Sequence, residues 1–185
     1  MFQDILTERL CLRSLCPDDA DKVFAYRCDP GVLQYQSWEP KSAEEVRSFI
    51  NSMLTREFNV PGWYQVGIER RGTRGLIGDC GVHVLETDSR IVEIGITIEP
   101  ASQSMGYATE SINAILELLF ERLSKHRVIA SVDPGNLPSM ALMKSVGFRK
   151  EGHFVQSLWF KDGWVDDVVF AMLADEWRLA HQLPG

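Results

Sequence analysis

The chain has 185 residues, of which 45% are hydrophobic and 24% are charged, and its formal net charge is −7. This length suits one domain built around a single core, and the composition argues against wholesale disorder or a membrane protein. An acidic balance also argues against charge-driven binding of nucleic acid, whose phosphates attract lysine and arginine. We therefore expect one domain over residues 1–185, without a nucleic-acid or membrane partner.

The cysteine pattern argues against a metal site. The four cysteines form no CxxC pair and have no paired histidine spacing, so a zinc site is not expected and the thiols are expected to be reduced. No basic-then-apolar leader opens the sequence, and it has no run of about 18 apolar residues. These features predict a cytoplasmic protein, and they leave the oligomeric state open between monomer and homodimer.

The N-terminal third of the chain combines strand and helix signals. Apolar and polar residues alternate over 6–15, which predicts a strand, and Pro-Asp-Asp opens a predicted helix over 17–27. Residues 29–31, Asp-Pro-Gly, predict the end of that helix. A serine three residues before a glutamate forms a capping box for a second helix, expected over 42–58.

The middle of the chain changes to a two-residue period. Strands are predicted over 64–69, 76–85 and 91–99 as an antiparallel meander. A helix with apolar residues at helical spacing follows and extends to Leu123, and a β-rich run predicts a strand over 127–132. Strand, helix and strand in this order form a crossover unit with two parallel strands.

The C-terminal part predicts a helix over 137–146, a hairpin of strands 154–160 and 165–173, and an amphipathic tail over 175–183. Together these elements predict an α/β (α+β) fold. Its mixed twisted sheet is expected to have about six to seven strands, with an antiparallel N-terminal meander, a central parallel pair and helices on both faces.

The stretch 91–110 predicts an anion site, because a strand leads through a small polar loop into a helix. The first N–H groups of a helix lack intrahelical partners, and the macrodipole adds partial positive charge there. Gly106 has no Cβ and Ala108 is small, so consecutive N–H groups from about Ser104 to Thr109 are able to converge on a diphosphate. A plain helix start is the alternative.

Two motifs then identify a family. The sequence QSMGYA at 103–108 resembles the Q/R-x-x-G-x-G/A motif of the GNAT superfamily of N-acetyltransferases, and NLPS at 136–139 with SVGF at 145–148 is similar to its N-x-x-S…GF segment. The opening LTERLCLRSLCPDDAD and the closing hairpin resemble the ribosomal-protein acetyltransferase branch. The resemblance covers nearly the whole chain and implies the GNAT fold.

The resemblance further implies that acetyl-CoA is the co-substrate, with its pyrophosphate on the loop before the helix and its pantetheine along the preceding strand. The residues that match the family's acetyl-CoA site are Ile96, Thr97, Ile98, Gln103, Ser104, Met105, Gly106, Tyr107, Ala108, Thr109 and Asn136. Family members often have glycine and then lysine or arginine after the glutamine. Because this chain has Ser104 and Met105 there, its affinity is expected to depend more on backbone groups than on side-chain charge.

Glu93 is the candidate general base. It shares one face of its predicted strand with Gly95 and Thr97, and a carboxylate buried on a central strand is suited to removing a proton from an acceptor ammonium. A structural glutamate bonded to loop amides is the alternative. Some branch members have a glutamate near Leu158 as base, and its absence here leaves the assignment open.

Ser139 is the candidate general acid, since the matching serine is proposed to protonate the departing thiolate in the N-terminal acetyltransferase branch. Many other GNAT members use a tyrosine four positions later, where this chain has Met143. A simple first-turn helix serine is the alternative, and Asn136 is expected to cap the same helix.

Tyr35 and Trp38 occupy the region that covers the acceptor in the family, although aromatic residues there also suit the core. The four histidines lack metal or triad spacing and are expected to be surface or hydrogen-bonded residues. The sequence therefore predicts direct attack of a primary amine on the thioester, with a protein or peptide N-terminus as the first expectation. A small-molecule amine (antibiotic, polyamine or amino acid) and a non-catalytic acyl-CoA sensor are the alternatives.

Overall fold

The structure is a computed structural model that describes residues 2–36, 38–73 and 75–182. Its strands are β1 Ile5–Leu6, β2 Leu10–Ser14, β3 Gly62–Arg70, β4 Gly75–Val84, β5 Ile91–Ile98, β6 Arg127–Val132, β7 Arg149–Phe160 and β8 Gly163–Leu173. Its helices are α1 Ala20–Arg27, α2 Pro30–Leu33, α3 Ala43–Leu54, α4 Tyr107–Glu117, α5 Leu137–Val146 and α6 Ala174–His181. The strands form one mixed sheet in the order β1-β2-β3-β4-β5-β6-β8-β7. The predicted fold class is confirmed.

The sheet has eight strands rather than six to seven, because the first predicted strand is two strands. Thr7 interrupts it: its N–H donates to the carbonyl oxygen of Leu10, and its hydroxyl oxygen accepts from the Leu10 N–H. This turn folds β1 back onto β2 as an antiparallel pair.

Other boundaries also differ from the predictions. Helix α4 ends at Glu117, and a π-helical turn over 118–122 continues it toward Leu123. The predicted helix over 17–27 is a 3₁₀ turn over 17–19 followed by α1, which ends before Asp29 as predicted. The short helix α2 was not predicted, and Asp29 caps it by accepting from the Gly31 N–H at 2.9 Å. Helix α3 ends at Leu54 rather than near Phe58, whose ring packs on Tyr64 outside the helix.

The last hairpin also differs, since β7 begins at Arg149 rather than at Phe154. Its pairing with β8 has two register shifts, and Gln156 has a positive φ of 47°. Such bulges interrupt the two-residue period from which the strand was predicted.

Helices cover both faces of the sheet, as predicted. The larger core lies between the sheet and α4, α5 and α6, with Ile112, Leu119 and Phe170 fully buried. A smaller core lies on the other face under α1 and α3, where Val46 and Ile50 are fully buried. Strand β5 therefore has one face toward each layer.

The predicted parallel pair is β5 with β6, and the pairing is short. It includes Ile91, Val92 and Glu93 of β5 and stops there, although β5 continues to Ile98. Beyond Glu93 the two strands diverge, which leaves an opening in the middle of the sheet.

No described helix is long and apolar enough to cross a bilayer. Within the same residues, no group of histidine, cysteine, aspartate and glutamate side chains is arranged to hold a metal ion.

Candidate active site

The opening between β5 and β6 continues into a cleft of roughly 640 Å³. The predicted site residues that line this cleft are Tyr35, Trp38, Glu93, Ile96, Thr97, Asn136 and Ser139. Ile98 and the loop 103–109 are not part of its wall. They lie at the end of β5, where a 3₁₀ turn over 100–102 leads into α4.

The edge of β5 that faces the opening carries free backbone groups. The N–H of Glu99 donates to Ile77 of β4, whereas the carbonyl of Ile98 points the other way and accepts from the Gln103 side chain at 2.9 Å. Because backbone direction alternates along a strand, the N–H and carbonyl of Ile96 also point away from β4. They are therefore available to a ligand in the opening.

The loop before α4 has the geometry of an anion cradle. Ser104 and Gly106 have positive φ values of 60° and 80°, and α4 begins directly after Gly106. The N–H groups from Ser104 to Thr109 have no hydrogen-bond acceptor within the described parts of the chain. A Cβ at Gly106 would lie 3.3 Å from the Arg9 guanidinium, so a side chain there would crowd the loop.

Arg9, which the sequence analysis did not single out, holds this loop in place. Its Nη1 donates to the carbonyl of Met105 at 2.9 Å, its Nε bonds Glu110 at 2.6 Å, and its guanidinium lies over the Tyr107 ring at 4.6 Å. Partial burial raises the pKa of Glu110, but hydrogen bonds from Thr7 and Arg9 outweigh this and hold that pKa below its usual range. The Met105 carbonyl is thereby turned away from the free N–H groups.

These features fit the diphosphate of acetyl-CoA. Unpartnered N–H groups at a helix N-terminus bind phosphate oxygens, and the macrodipole favours negative charge at the same place. The residues that would hold acetyl-CoA are those of the loop 103–109 for the diphosphate and Ile96 for the arm that enters the opening.

Three cross-strand pairs form the sheet face under the cleft. Asp79 is opposite Thr97, Gly81 is opposite Gly95, and His83 is opposite Glu93. The prediction that residues 93, 95 and 97 share a face is confirmed. A Cβ at Gly95 would meet no heavy atom within 4 Å, whereas one at Gly81 would lie 2.9 Å from the Trp63 ring. The space over Gly95 is therefore a hollow between the two polar pairs.

Asp79 at one end of this face is fully engaged. Arg27 and Tyr26 of α1 both donate to its carboxylate, and both side chains are buried. Arg27 also donates to Gln36 at 2.7 Å, and Gln36 donates to the Thr97 hydroxyl at 3.0 Å. This network anchors the segment after α2 to β5.

Glu93 at the other end is less buried than expected, with 27% of its side chain exposed. The carboxylate that was expected to be buried is therefore only partly buried. Its Oε2 lies 3.6 Å from the His83 Nδ1, and the His83 ring stacks on Trp63 at 4.6 Å between centroids. The sequence analysis set His83 aside, because only the register of β4 against β5 brings it to Glu93.

Ser139 lies in the first turn of α5. Its N–H donates to the side-chain oxygen of Asn136 at 3.1 Å, so Asn136 caps the helix as predicted. Met143 also lines the cleft and is 4% exposed. The two interpretations of Ser139 stay compatible, since the residue lines the cleft while its N–H belongs to the cap.

Tyr35 and Trp38 take different positions on the wall. The Tyr35 hydroxyl donates to the carbonyl of Gly135 at 3.1 Å, which links the segment after α2 to the loop before α5. Trp38 packs on Phe49 at 4.5 Å between centroids and lies under the Arg27 guanidinium. Trp38 therefore joins the core under α3 while it lines the cleft.

Known proteins are similar to this chain in sequence and in fold. Residues 9–149 match the family described as acetyltransferase (GNAT) domain. The chain is 32% identical over 174 residues to the uncharacterized N-acetyltransferase YnaD of Bacillus subtilis, an alignment that covers 94% of this chain and 99% of YnaD. It is 26% identical over 164 residues to the spermidine N(1)-acetyltransferase of Vibrio cholerae, with 88% and 91% covered.

A solved structure agrees with these matches. The structure provisionally described as a ribosomal-protein-serine acetyltransferase from Vibrio cholerae superposes with a TM-score of 0.79 at 26% identity, covering 92% of this chain and 97% of the other. Both the family match and the YnaD alignment extend over most of the sequence. The chain therefore belongs to the GNAT family of acetyl-CoA-dependent N-acetyltransferases.

Proposed function

We propose that this chain transfers the acetyl group of acetyl-CoA to a primary amine of a small organic cation. The observation that supports this acceptor is the charge of the cleft wall. Among the described residues it carries one arginine, Arg27, against five carboxylates: Asp79, Glu93, Asp133, Asp166 and Asp167. Since Asp79 takes up the charge of Arg27, the wall has an excess of negative charge, which attracts cations.

Aromatic rings in the cleft wall also suit a cationic acceptor. Tyr35, Trp38, Phe49, Trp63 and Phe160 line the same cleft. The faces of such rings attract organic ammonium groups. Carboxylates and rings together thus suit an acceptor with a second positive charge besides the amine that is acetylated.

Contacts between the segments that border the cleft also favour a compact acceptor. Besides the Tyr35–Gly135 hydrogen bond, Lys161 at the tip of the β7–β8 hairpin donates to the carbonyl of Leu33 at 2.7 Å and forms an ion pair with Glu39. These contacts join α2 and the segment after it to the loop before α5 and to the tip of the β7–β8 hairpin. A folded or extended polypeptide has less room here than a small amine.

Chemistry at this site follows from position and charge. When bound, acetyl-CoA supplies the thioester, and the Ile96 N–H would stabilise the negative charge that develops on its carbonyl oxygen. Glu93 would accept a proton from the acceptor ammonium, and Ser139 would return one to the leaving thiolate. Holding both reactants in one cleft removes much of the entropic barrier.

A protein N-terminus is the second candidate acceptor. It is supported by the likeness to the ribosomal-protein-serine acetyltransferase structure, whereas the spermidine acetyltransferase similarity supports the small cation. The reacting ammonium is the same in both, so the two candidates differ in the size of the group that is attached to the amine and in the second positive charge of the small cation.

An acceptor screen separates the candidates. Purified protein is incubated with acetyl-CoA and matched panels of diamines, polyamines, amino acids and peptides with free N-termini, while thiol release is recorded and products are identified by mass spectrometry. Diamines and polyamines are expected to react fastest, with rates that fall as salt rises. Transfer to peptide N-termini alone would contradict the small-cation proposal and support the second candidate.

A further inference from the structure

His83 lies beside Glu93 but is not itself part of the cleft wall. The two residues are cross-strand neighbours, with 3.6 Å between the His83 Nδ1 and the Glu93 Oε2. That Nδ1 is buried and has no hydrogen-bond partner within the described parts of the chain. On its other side the imidazole stacks nearly parallel to Trp63, at an angle of 12°.

This separation is too long for a direct hydrogen bond but short enough for one after a small side-chain movement or through a water. Buried polar atoms usually have a partner, so an unpaired nitrogen next to an unpaired carboxylate indicates a proton that is not permanently held. The stacking on Trp63 fixes the plane of the ring, and Nδ1 is the ring nitrogen that faces Glu93.

Glu93 is the charged residue that is paired directly with His83 in the described part of the sheet. From β3 the neighbours are Trp63 and Gln65, both uncharged, and from β5 the neighbour is Glu93. Two other carboxylates of this face are already hydrogen-bonded, since Asp79 accepts from Arg27 and Tyr26 and Asp167 accepts from the Ser131 hydroxyl.

We propose that His83 relays the acceptor's proton from Glu93 to solvent, an inference that rests on the proposed function. Glu93 takes one proton from the acceptor ammonium. His83 receives this proton at Nδ1 and releases the proton of its other ring nitrogen, Nε2, to solvent. The His83 side chain is 21% exposed. The freed amine then forms the C–N bond as the thioester C–S bond breaks, and the second amine proton ends on the thiolate of coenzyme A.

In this scheme His83 is a positioning residue, because it acts through Glu93 and does not touch the acceptor. The relay matters only for an acceptor that arrives charged. A nucleophile that is already uncharged, such as a hydrazide, has no first proton to lose.

The test compares His83→Phe and His83→Gln with a linear diamine and with the hydrazide of matching chain length. His83→Phe keeps an aromatic ring on Trp63, and His83→Gln keeps hydrogen-bonding groups, so folding is controlled in two ways. Each variant is expected to lose about tenfold or more in turnover of the diamine, with little loss for the hydrazide. Affinity for CoA, measured by calorimetry without any acceptor, is expected to stay unchanged.

His181→Phe is the matched control, because His181 also stacks on a tryptophan, Trp177, but lies on α6 outside the cleft. It is expected to match the unmodified chain with both nucleophiles. Equal losses for diamine and hydrazide, or no loss for either, would overturn the relay. Failure of the unmodified chain to acetylate any amine would instead remove the proposed function, and the relay with it.

Discussion

Two acid–base pairs on one face of β4 and β5 are in opposite states. Asp79 with Arg27 is buried, with 2% and 6% of the side chains exposed, whereas Glu93 with His83 keeps 27% and 21%. The first carboxylate has donors on both oxygens, and the second lies near an imidazole without being bonded to it. A buried pair whose carboxylate is bonded on both oxygens holds structure together, whereas the pair at the cleft is the one to which we assign proton transfer.

The environment of Tyr26 shows how completely the first pair is closed. Burial, and then the adjacent Asp79 carboxylate, raise the pKa of the Tyr26 phenol well above its ordinary value. Burial also works to lower the pKa of Arg27, but Asp79 outweighs it and raises that pKa. Tyr26 and Arg27 therefore both stay protonated at physiological pH, which suits the cluster for anchoring α1 and not for catalysis.

The largest effect is expected from Arg27→Ala, which leaves the Asp79 carboxylate buried without its cation. Breaking such a pair destabilises a protein by about 3–5 kcal/mol. Urea unfolding measures this loss. The matched control is Arg90→Ala, because Arg90 pairs with Asp88 at the surface. Exposed pairs contribute little, so this change should leave the stability nearly unchanged. Similar values for both variants would show that the Asp79 pair is not structural.

Glu93→Gln is expected to have the opposite effect, a large loss of turnover with little change in stability. Turnover should fall by about 100-fold, the lower end of what a general base contributes, while the free energy of unfolding changes by less than about 0.5 kcal/mol. Steady-state kinetics with the best amine of the acceptor screen and urea unfolding provide the two numbers. Glu86→Gln, in the turn after β4, is the control. Retained turnover in Glu93→Gln would assign the base to another group.

Ser139→Ala tests the other proton transfer at the cleft and should have a smaller effect. We expect about a tenfold loss of turnover, less than the full general-acid contribution because water is able to replace the hydroxyl. The helix cap stays intact, since the Ser139 N–H and not its hydroxyl donates to Asn136. Affinity for acetyl-CoA should therefore be nearly unchanged. Calorimetry and kinetics separate these quantities. Unchanged turnover would reject the acid role.

Local signals in the sequence were sufficient for most of the fold and for several of the residues that line the cleft. The Asn136 cap, the loop around Gly106 and the parallel pair follow from patterns within a few residues or one crossover unit. Contacts between distant segments were not accessible in this way. Arg9 reaches Met105 across 96 positions, and His83 meets Glu93 only through the strand register, so neither has a local signature.

Gly95 lies between the Asp79 pair and the Glu93 pair. Its replacement by alanine tests whether the acceptor amine binds over Gly95, next to Glu93. The added Cβ would contact no protein atom within 4 Å, so the fold should keep its stability, whereas an acceptor in the hollow would lose space. Crowding of about 1 kcal/mol, at the low end of overpacking, corresponds to roughly a fivefold rise in acceptor KM with little change in acetyl-CoA affinity. Gly75→Ala, at the remote start of β4 with only an ordinary contact to Thr73, should leave both constants unchanged. An unchanged acceptor KM in Gly95→Ala would place the amine elsewhere and separate it from Glu93.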